Sequence, residues 1–305
     1  MTTAFLTHPD CLKHEMGLHH PESPARLAAV LDAFHAAGLM ARLHAVEAPL
    51  ASEAALSAAH APHYVEHVFA IAPSLDYATL DPDTAMNPHS LAAARRAAGA
   101  VVRAVDMVMA GEADNAFCAV RPCGHHATYE RAMGFCIFNN VAVGAMHALN
   151  HHGLERVAIL DFDVHHGNGT EDIFHDDPRV MFCSSFQHPY YPGSGADSGN
   201  DHMIATPLAA HTTGAAFREA IAKTWFPALH RFQPQLIIIS AGFDAHADDP
   251  LAYLKLHEDD YVWITARIRE FADQYAEGRI VSALEGGYSL GALARSALAH
   301  VEALL

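Results

Sequence analysis

The chain has 305 residues, 51% hydrophobic and 17% charged, which is enough apolar material for a sizeable core and excludes a disordered chain. Lys plus Arg number 18 against 35 Asp plus Glu, a formal charge of -17, which counts against nucleic acid and anionic membranes as main partners. No apolar run approaches the ~20 residues of a spanning helix. The start, Met-Thr-Thr-Ala-Phe-Leu-Thr-His, lacks a basic leader, so a cytoplasmic location is expected.

In chain order, residues 23–37 open with Ser-Pro, a cap followed by proline at the first helical position, and predict a helix. Residues 87–110 form an Ala-rich helical stretch, and 115–120 a short apolar strand. Residues 138–150 predict a helix that stops at His151-His152-Gly. Strands follow at 157–164 and 180–186, then a loop at 187–199 rich in Pro, Gly and Tyr. Helix 212–232, strand 236–243, helix 258–277, strand 280–284 and helix 290–305 complete the pattern. Continuous apolar strands separated by helices predict a parallel sheet covered on both faces, a three-layer α/β/α arrangement. No repeat, low-complexity tract or linker is visible, so one domain over residues 1–305 is expected. Open α/β sheets bind ligands at the carboxyl ends of their strands, so the chemistry is expected just after these runs.

Five Cys, an odd count without a C-x-x-C, argue against a disulfide framework or a structural zinc site. Histidine is the outlier at 25 residues. His151 and His152 read as surface usage without chemistry, so the informative histidines are those beside carboxylates at ligand spacing.

Strand 157–164 ends in Asp161-Phe-Asp163-Val-His165-His166-Gly. Alternation along a strand would put Asp161, Asp163 and His165 on one face. Strand 236–243 ends in Ser240-Ala-Gly-Phe-Asp244. Two Asp and one His from these strand ends would make a three-ligand site for a divalent ion with a fourth position open, as catalytic zinc requires. The plainer reading, that strand-end Asp and His only cap helices or pair locally, suits a single Asp better than the whole cluster. Arg121-Pro-Cys-Gly-His125-His126 follows strand 115–120, and its tandem His could supply a general base and an electrostatically tuned partner. Strand 280–284 runs into Glu285-Gly286-Gly287-Tyr288. Its two glycines permit close backbone approach to a ligand, and the Tyr can donate to a developing oxyanion. A Gly-Gly turn with a packing Tyr would be preferred only if no metal cluster lay elsewhere.

Together R-P-C-G-H-H-A, G-F-C-I-F-N-N, D-F-D-V-H-H-G-N-G-T, S-A-G-F-D-A-H-A-D-D-P-L and E-G-G-Y resemble the histone deacetylase family. The likeness is greatest to the class II branch and its bacterial histone-deacetylase-like amidohydrolases. It runs from the segment at residues 20–27 to the C-terminal helix, with the motifs in family order. The resemblance implies the arginase/deacetylase fold with a mainly parallel eight-stranded sheet, a zinc-dependent amidase, and bound potassium. It implies zinc held by Asp163, His165 and Asp244, with His126 as general base and then acid. His125 would be its electrostatic partner, oriented by Asp161, and Tyr288 the oxyanion donor. Asn168 falls where class I enzymes have an Asp facing the second His. The inner potassium site would use backbone oxygens of Asp161, Asp163 and His165 with Ser184 and the Ser185 carbonyl. Phe135 and Tyr191 would wall a narrow channel, with Gly134, Gly286, Gly287 and Leu251 around it. Asp83 would grip substrate backbone amides, and Arg26 would line an internal acetate-release pocket.

The expected substrate is an acetylated lysine peptide or protein, deacylated to release acetate, and hydroxamate-type inhibitors should bind. An acetylated polyamine is the alternative: a cationic substrate suits an acidic protein, although Leu251 occupies the position where eukaryotic polyamine deacetylases of this family carry a Glu. A two-manganese ureohydrolase is disfavoured because His246, not Asp, stands two residues after Asp244. A non-catalytic acyl-lysine binder is disfavoured because every ligand and Tyr288 is present. The acyl-chain preference stays open, as does the oligomeric state, a homo-oligomer included.

Overall fold

In a computed structural model, residues 2–305 are described. Ten strands appear among them: β1 (Thr3–Thr7), β2 (His44–Glu47), β3 (Ala78–Asp81), β4 (Thr84–Met86), β5 (Asn115–Cys118), β6 (Val157–Asp161), β7 (Val180–Gln187), β8 (Met203–Leu208), β9 (Leu236–Ala241) and β10 (Ile280–Leu284). Eight of them form one sheet in the order β2-β1-β5-β10-β9-β6-β7-β8, and every pairing is parallel. β3 and β4 pair separately as an antiparallel hairpin.

The helices are α1 (Pro24–Ala36), α2 (Glu53–Ser57), α3 (Pro62–Ile71), α4 (Ser90–Met109), α5 (Asn140–Asn150), α6 (Asn168–Phe174), α7 (Gly214–Phe232), α8 (Glu258–Tyr275) and α9 (Leu290–Leu304). α1, α9, α8 and α7 touch in that order, and α4 packs on α5, giving helical layers around the sheet. β5, β6, β7, β9 and β10 are buried along their whole length, as a parallel sheet covered on both faces requires. This is the α/β architecture expected from the sequence. No helix of the described residues is long and apolar enough to cross a membrane. All five cysteines are buried and free.

The strands that deliver chemistry end earlier than their apolar runs suggest. β5 stops at Cys118, β6 at Asp161 and β9 at Ala241. Beyond Asp161 the backbone leaves the ladder because side chains take its donors. Asp163 N donates to Asp161 Oδ1 at 3.1 Å, and His165 N to Asp163 Oδ1 at 2.9 Å. Asp and Asn side chains offer such local alternatives to ladder bonds. The expectation that strand alternation aligns Asp161, Asp163 and His165 is therefore corrected: Asp163 and His165 sit on a turn after the strand, aimed by those two bonds.

Candidate active site

β5, β10, β9 and β6 are consecutive neighbours in the middle of the sheet, so the loops leaving their carboxyl ends converge. These loops carry His125 and His126, Tyr288, Asp244, and Asp163 with His165 respectively.

Asp163, His165 and Asp244 meet with their ligating atoms within 4.8 Å of one another. His165 Nδ1 lies 3.0 Å from Asp163 Oδ1 and 3.2 Å from Asp244 Oδ2. Backbone donors fix the carboxylates: Gly286 N to Asp163 Oδ2 at 2.8 Å and Val164 N to Asp244 Oδ1 at 2.8 Å. Burial and the Asp163 carboxylate push Asp244 up to about 7. At Asp163, burial is outweighed by the charges of His125 and His165, which hold it well below the usual carboxylate range. At His165, burial is likewise outweighed by the hydrogen bond to Asp163 and the charges of both carboxylates, which raise it to about 10. The pair of buried carboxylates favours positive charge at this point. The Asp244 Oδ2 atom is buried without a hydrogen-bond partner. Two carboxylates, one with an orphaned buried oxygen, and an imidazole converging on one point fit a divalent cation.

Gly286 shows how tightly the loop from β10 closes on this point. A Cβ there would stand 2.1 Å from Asp244 Oδ2 and 2.6 Å from Asp163 Oδ2. Gly286→Ala is expected to displace both carboxylates, weakening metal affinity by at least about 10–100-fold, the usual effect of disturbing ligand orientation. Equilibrium dialysis against zinc checks this; unchanged affinity would separate Gly286 from the cation site.

The tandem histidines are differently tuned. His125 Nδ1 donates to Asp161 Oδ2 at 2.9 Å, and its Nε2 lies 3.8 Å from Asp163 Oδ1. Burial works against its proton, but Asp163 and Asp161 win and hold its pKa well above the ordinary value. His126 Nδ1 faces Asn168 Oδ1 at 2.7 Å. An amide oxygen only accepts, so Nδ1 carries the proton and Nε2 presents a lone pair. Burial and the neighbouring charges of His125 and His165 push His126 well below its ordinary value and keep it neutral. The two rings are 4.0 Å apart, so one imidazole is a fixed charge and its neighbour a free base.

Asp83, His126, Gly134, Phe135, His165, Tyr191, Leu251 and Tyr288 line a narrow pocket of about 100 Å³ over these groups. The walls are aromatic: Phe135 meets Tyr288 at 6.0 Å and 82°, and Tyr191 meets His126 at 5.1 Å and 88°. Gly134 has a φ of +57°, and a Cβ there would stand 2.4 Å from the His126 ring, so glycine is required for this wall to close on the base. Asp83 lies in the turn of the β3–β4 hairpin. Its Oδ1 accepts from Gly134 N at 3.0 Å, while Thr84 Oγ1 accepts from Phe135 N at 3.0 Å. The hairpin thereby fastens the channel wall, a task the sequence did not disclose.

Asp249 is a second group the sequence reading missed. Its Oδ2 accepts from Tyr288 N at 2.7 Å and Ser289 N at 3.1 Å, and its Oδ1 from Leu251 N at 2.9 Å. One buried carboxylate therefore positions both Tyr288 and Leu251. Burial pushes the Tyr288 phenol well above its ordinary value, so it stays a donor.

Arg26, Gly287 and Glu285 lie beneath the pocket. Arg26 Nε donates to Gly287 O at 2.6 Å and Nη2 to Glu285 O at 2.5 Å, with the guanidinium 5.0 Å over the Tyr288 ring. Glu22 sits between Arg26 and Arg121: its Oε1 accepts from Arg26 Nη1 at 3.0 Å and Arg121 Nε at 2.5 Å, and its Oε2 from Arg121 Nη2 at 2.6 Å. All three side chains are fully buried. Glu285 Oε2 accepts from Gly124 N at 2.7 Å and His125 N at 3.2 Å, which holds the tandem-histidine loop. Ser184 pairs in register with Asp161, and its Oγ lies 3.1 Å from His166 Nδ1; Ser185 follows on the same strand.

A histone deacetylase domain model matches residues 20–304. A histone deacetylase-like amidohydrolase of Pseudomonas aeruginosa is 40% identical, over 99% of this chain and 86% of that protein. A probable deacetylase of Archaeoglobus fulgidus is 36% identical over 100% and 86%. The crystal structure of the HDA15 HD domain superposes with a TM-score of 0.94 at 33% identity, covering 99% of this chain and 88% of that one.

Proposed function

Because this chain belongs to the histone deacetylase family and is a hydrolase of the deacetylase type, we propose that it removes acetyl groups from the ε-amine of lysine in a zinc-dependent reaction. The observation that carries the reading is the orphaned oxygen of Asp244 beside Asp163 and His165, directly under an aromatic channel that ends at a neutral His126. Asp163, His165 and Asp244 would hold the zinc. When bound there, zinc would polarise the acetamide carbonyl and acidify the attacking water toward a pKa of ~7.

The protein's own groups supply the rest. Phe135 and Tyr191 flank the aliphatic stem of the lysine and exclude water. His126 Nε2 takes a proton as water attacks the amide carbon, and the His125–Asp161 pair steadies the charge beside it. Tyr288 donates its hydroxyl hydrogen bond to the developing oxyanion. His126 then returns the proton to the departing nitrogen as the C–N bond breaks, leaving acetate and a free amine. Arg26 lies behind Tyr288, where its charge suits a departing acetate. Backbone oxygens of Asp161, Asp163 and His165 with Ser184 and the Ser185 carbonyl are the proposed potassium ligands, and the cytoplasm the proposed location.

Acetylated polyamines are the second reading, favoured by Asp83 on the pocket lining and by the net charge of -17. Leu251 on the pocket lining speaks for the peptide. The deciding experiment compares an acetyl-lysine peptide, N-acetylputrescine and N8-acetylspermidine, with and without a hydroxamate. Faster, hydroxamate-sensitive turnover of the peptide is expected, and preference for the polyamines would replace the lysine reading. Chelation is expected to abolish turnover and zinc to restore it; full activity in metal-stripped protein would overturn zinc dependence.

A further inference from the structure

We propose that Asp106, His147, His151 and His152 form a second metal site, which takes a divalent transition-metal ion such as zinc and clamps α4 to the turn between α5 and β6. The sequence gives His151 and His152 the look of surface histidines after a helix. The structure groups them with His147 and Asp106 so that one ligating atom of each lies within 4.8 Å of all the others. His147 on α5 and His151, the residue that caps its carboxyl end, are one helical turn apart, and their rings stack at 4.9 Å and 13°. His152 follows immediately, its ring 5.3 Å from His147 and 5.1 Å from His151.

Asp106 comes from α4 and faces them. Its Oδ1 lies 2.7 Å from His147 Nε2 and 2.8 Å from His152 Nε2. Three imidazoles and one carboxylate make a four-ligand set of nitrogen and oxygen donors that zinc accepts. Its imidazole content selects transition metals over magnesium or calcium. An ion at ~2.0–2.1 Å from each ligand would need the two Asp106 contacts to open by about half an ångström, to roughly 3.3 Å, with the other ligand atoms settling to the same spacing. That movement is available, because the side chains of His147, His152 and Asp106 are 18%, 21% and 34% exposed. The same exposure gives the ion a way in. On binding, the Nε2 protons that now bond Asp106 leave those nitrogens, either to Nδ1 of the same ring or to solvent. The cluster also caps the carboxyl end of α5, where free carbonyls favour positive charge. None of the four residues lines the pocket, and the turn that carries His151 and His152 leads into the amino end of β6, at the opposite end of the strands from the catalytic loops.

The test is zinc stoichiometry of the full chain, measured by dialysis and metal analysis alongside thermal unfolding, for the parent, Asp106→Asn and His151→Ala. Each variant is expected to bind one zinc per chain fewer than the parent, or to hold that zinc more than about 10-fold more weakly. The zinc-induced rise in Tm should shrink in both, with deacetylation unchanged. Asp244→Asn serves as the control that removes the ion of the pocket alone, so the comparison stands whether or not the pocket takes zinc. Equal zinc content and equal Tm rise in parent, Asp106→Asn and His151→Ala would overturn the proposal.

Discussion

Tyr288→Phe is expected to lower kcat by about 10²–10³-fold on an acetyl-lysine peptide, the usual value of one oxyanion donor, with KM little changed. The substitution deletes one hydroxyl and keeps the ring. The T-shaped contact with Phe135 and the guanidinium of Arg26 over the ring therefore persist, and Asp249 still holds the backbone of residue 288. The ground-state pocket is thus preserved, and the loss falls on the transition state. The phenol is buried and keeps its proton, so the defect should not be rescued by changing pH across the neutral range. Steady-state kinetics of parent and variant check this. Unchanged turnover on a plain acetamide would remove Tyr288 from the oxyanion role.

Glu22→Gln is expected to destabilise the fold by about 3–5 kcal/mol, the usual consequence of removing one partner from a buried ion network. Here the consequence is sharpened because two guanidiniums share the one carboxylate. Arg26 and Arg121 are both fully buried, and Gln neutralises neither. Burial would raise the Glu22 carboxyl, but Arg121, His14 and Arg26 hold it well below its ordinary value of 4.5. A carboxylate depressed on folding stabilises fully above its unfolded pKa, and that contribution is lost as pH falls through the folded value. The gap between parent and variant should therefore be flat above about pH 4.5 and narrow below it. Urea unfolding across this range measures it. A variant as stable as the parent at neutral pH would show that the network contributes nothing net. Because Arg26 also holds Gly287 O and Glu285 O, activity should fall with stability.

The catalytic constellation was legible because each member lies just beyond an apolar run, and chain order plus parallel pairing leave such ends few places to go. β6, β7, β9 and β10 stand out as continuous apolar segments because the sheet buries them on both faces. β2 and β8 do not: His44, Ala45 and Glu47 are exposed, and β8 carries a proline and two half-buried residues, so no run appears. The short β1 and the helices α2, α3 and α6 were missed for want of length. The β3–β4 hairpin was invisible because its task is carried by side chains bonding a distant backbone, Asp83 to Gly134 and Thr84 to Phe135. Such long-range polar pairing leaves no periodic trace. The tasks of Asp249 and Glu22 are illegible for the same reason: what they hold lies 39 and 99 residues away. The strand ends were misjudged because Phe162 and Val164 prolong the apolar run after Asp161, while Asp side chains have already captured the backbone donors.

The position of β10 bears on how the molecule comes into being. Among the described residues it is the last strand in sequence, yet it occupies the centre of the sheet between β5 and β9. A chain emerging from the ribosome can pair β1, β2 and β5 on one side and β6 to β9 on the other, but the halves have no seam until β10 arrives. Until then the edges of β5 and β9 stand open, the kind of unpaired apolar edge that invites aggregation. Insertion of one strand then closes the sheet, covers both edges and brings Gly286 against Asp163. Completion of the sheet and assembly of the active site are therefore the same late event, and a chain cut short of residue 280 would have neither.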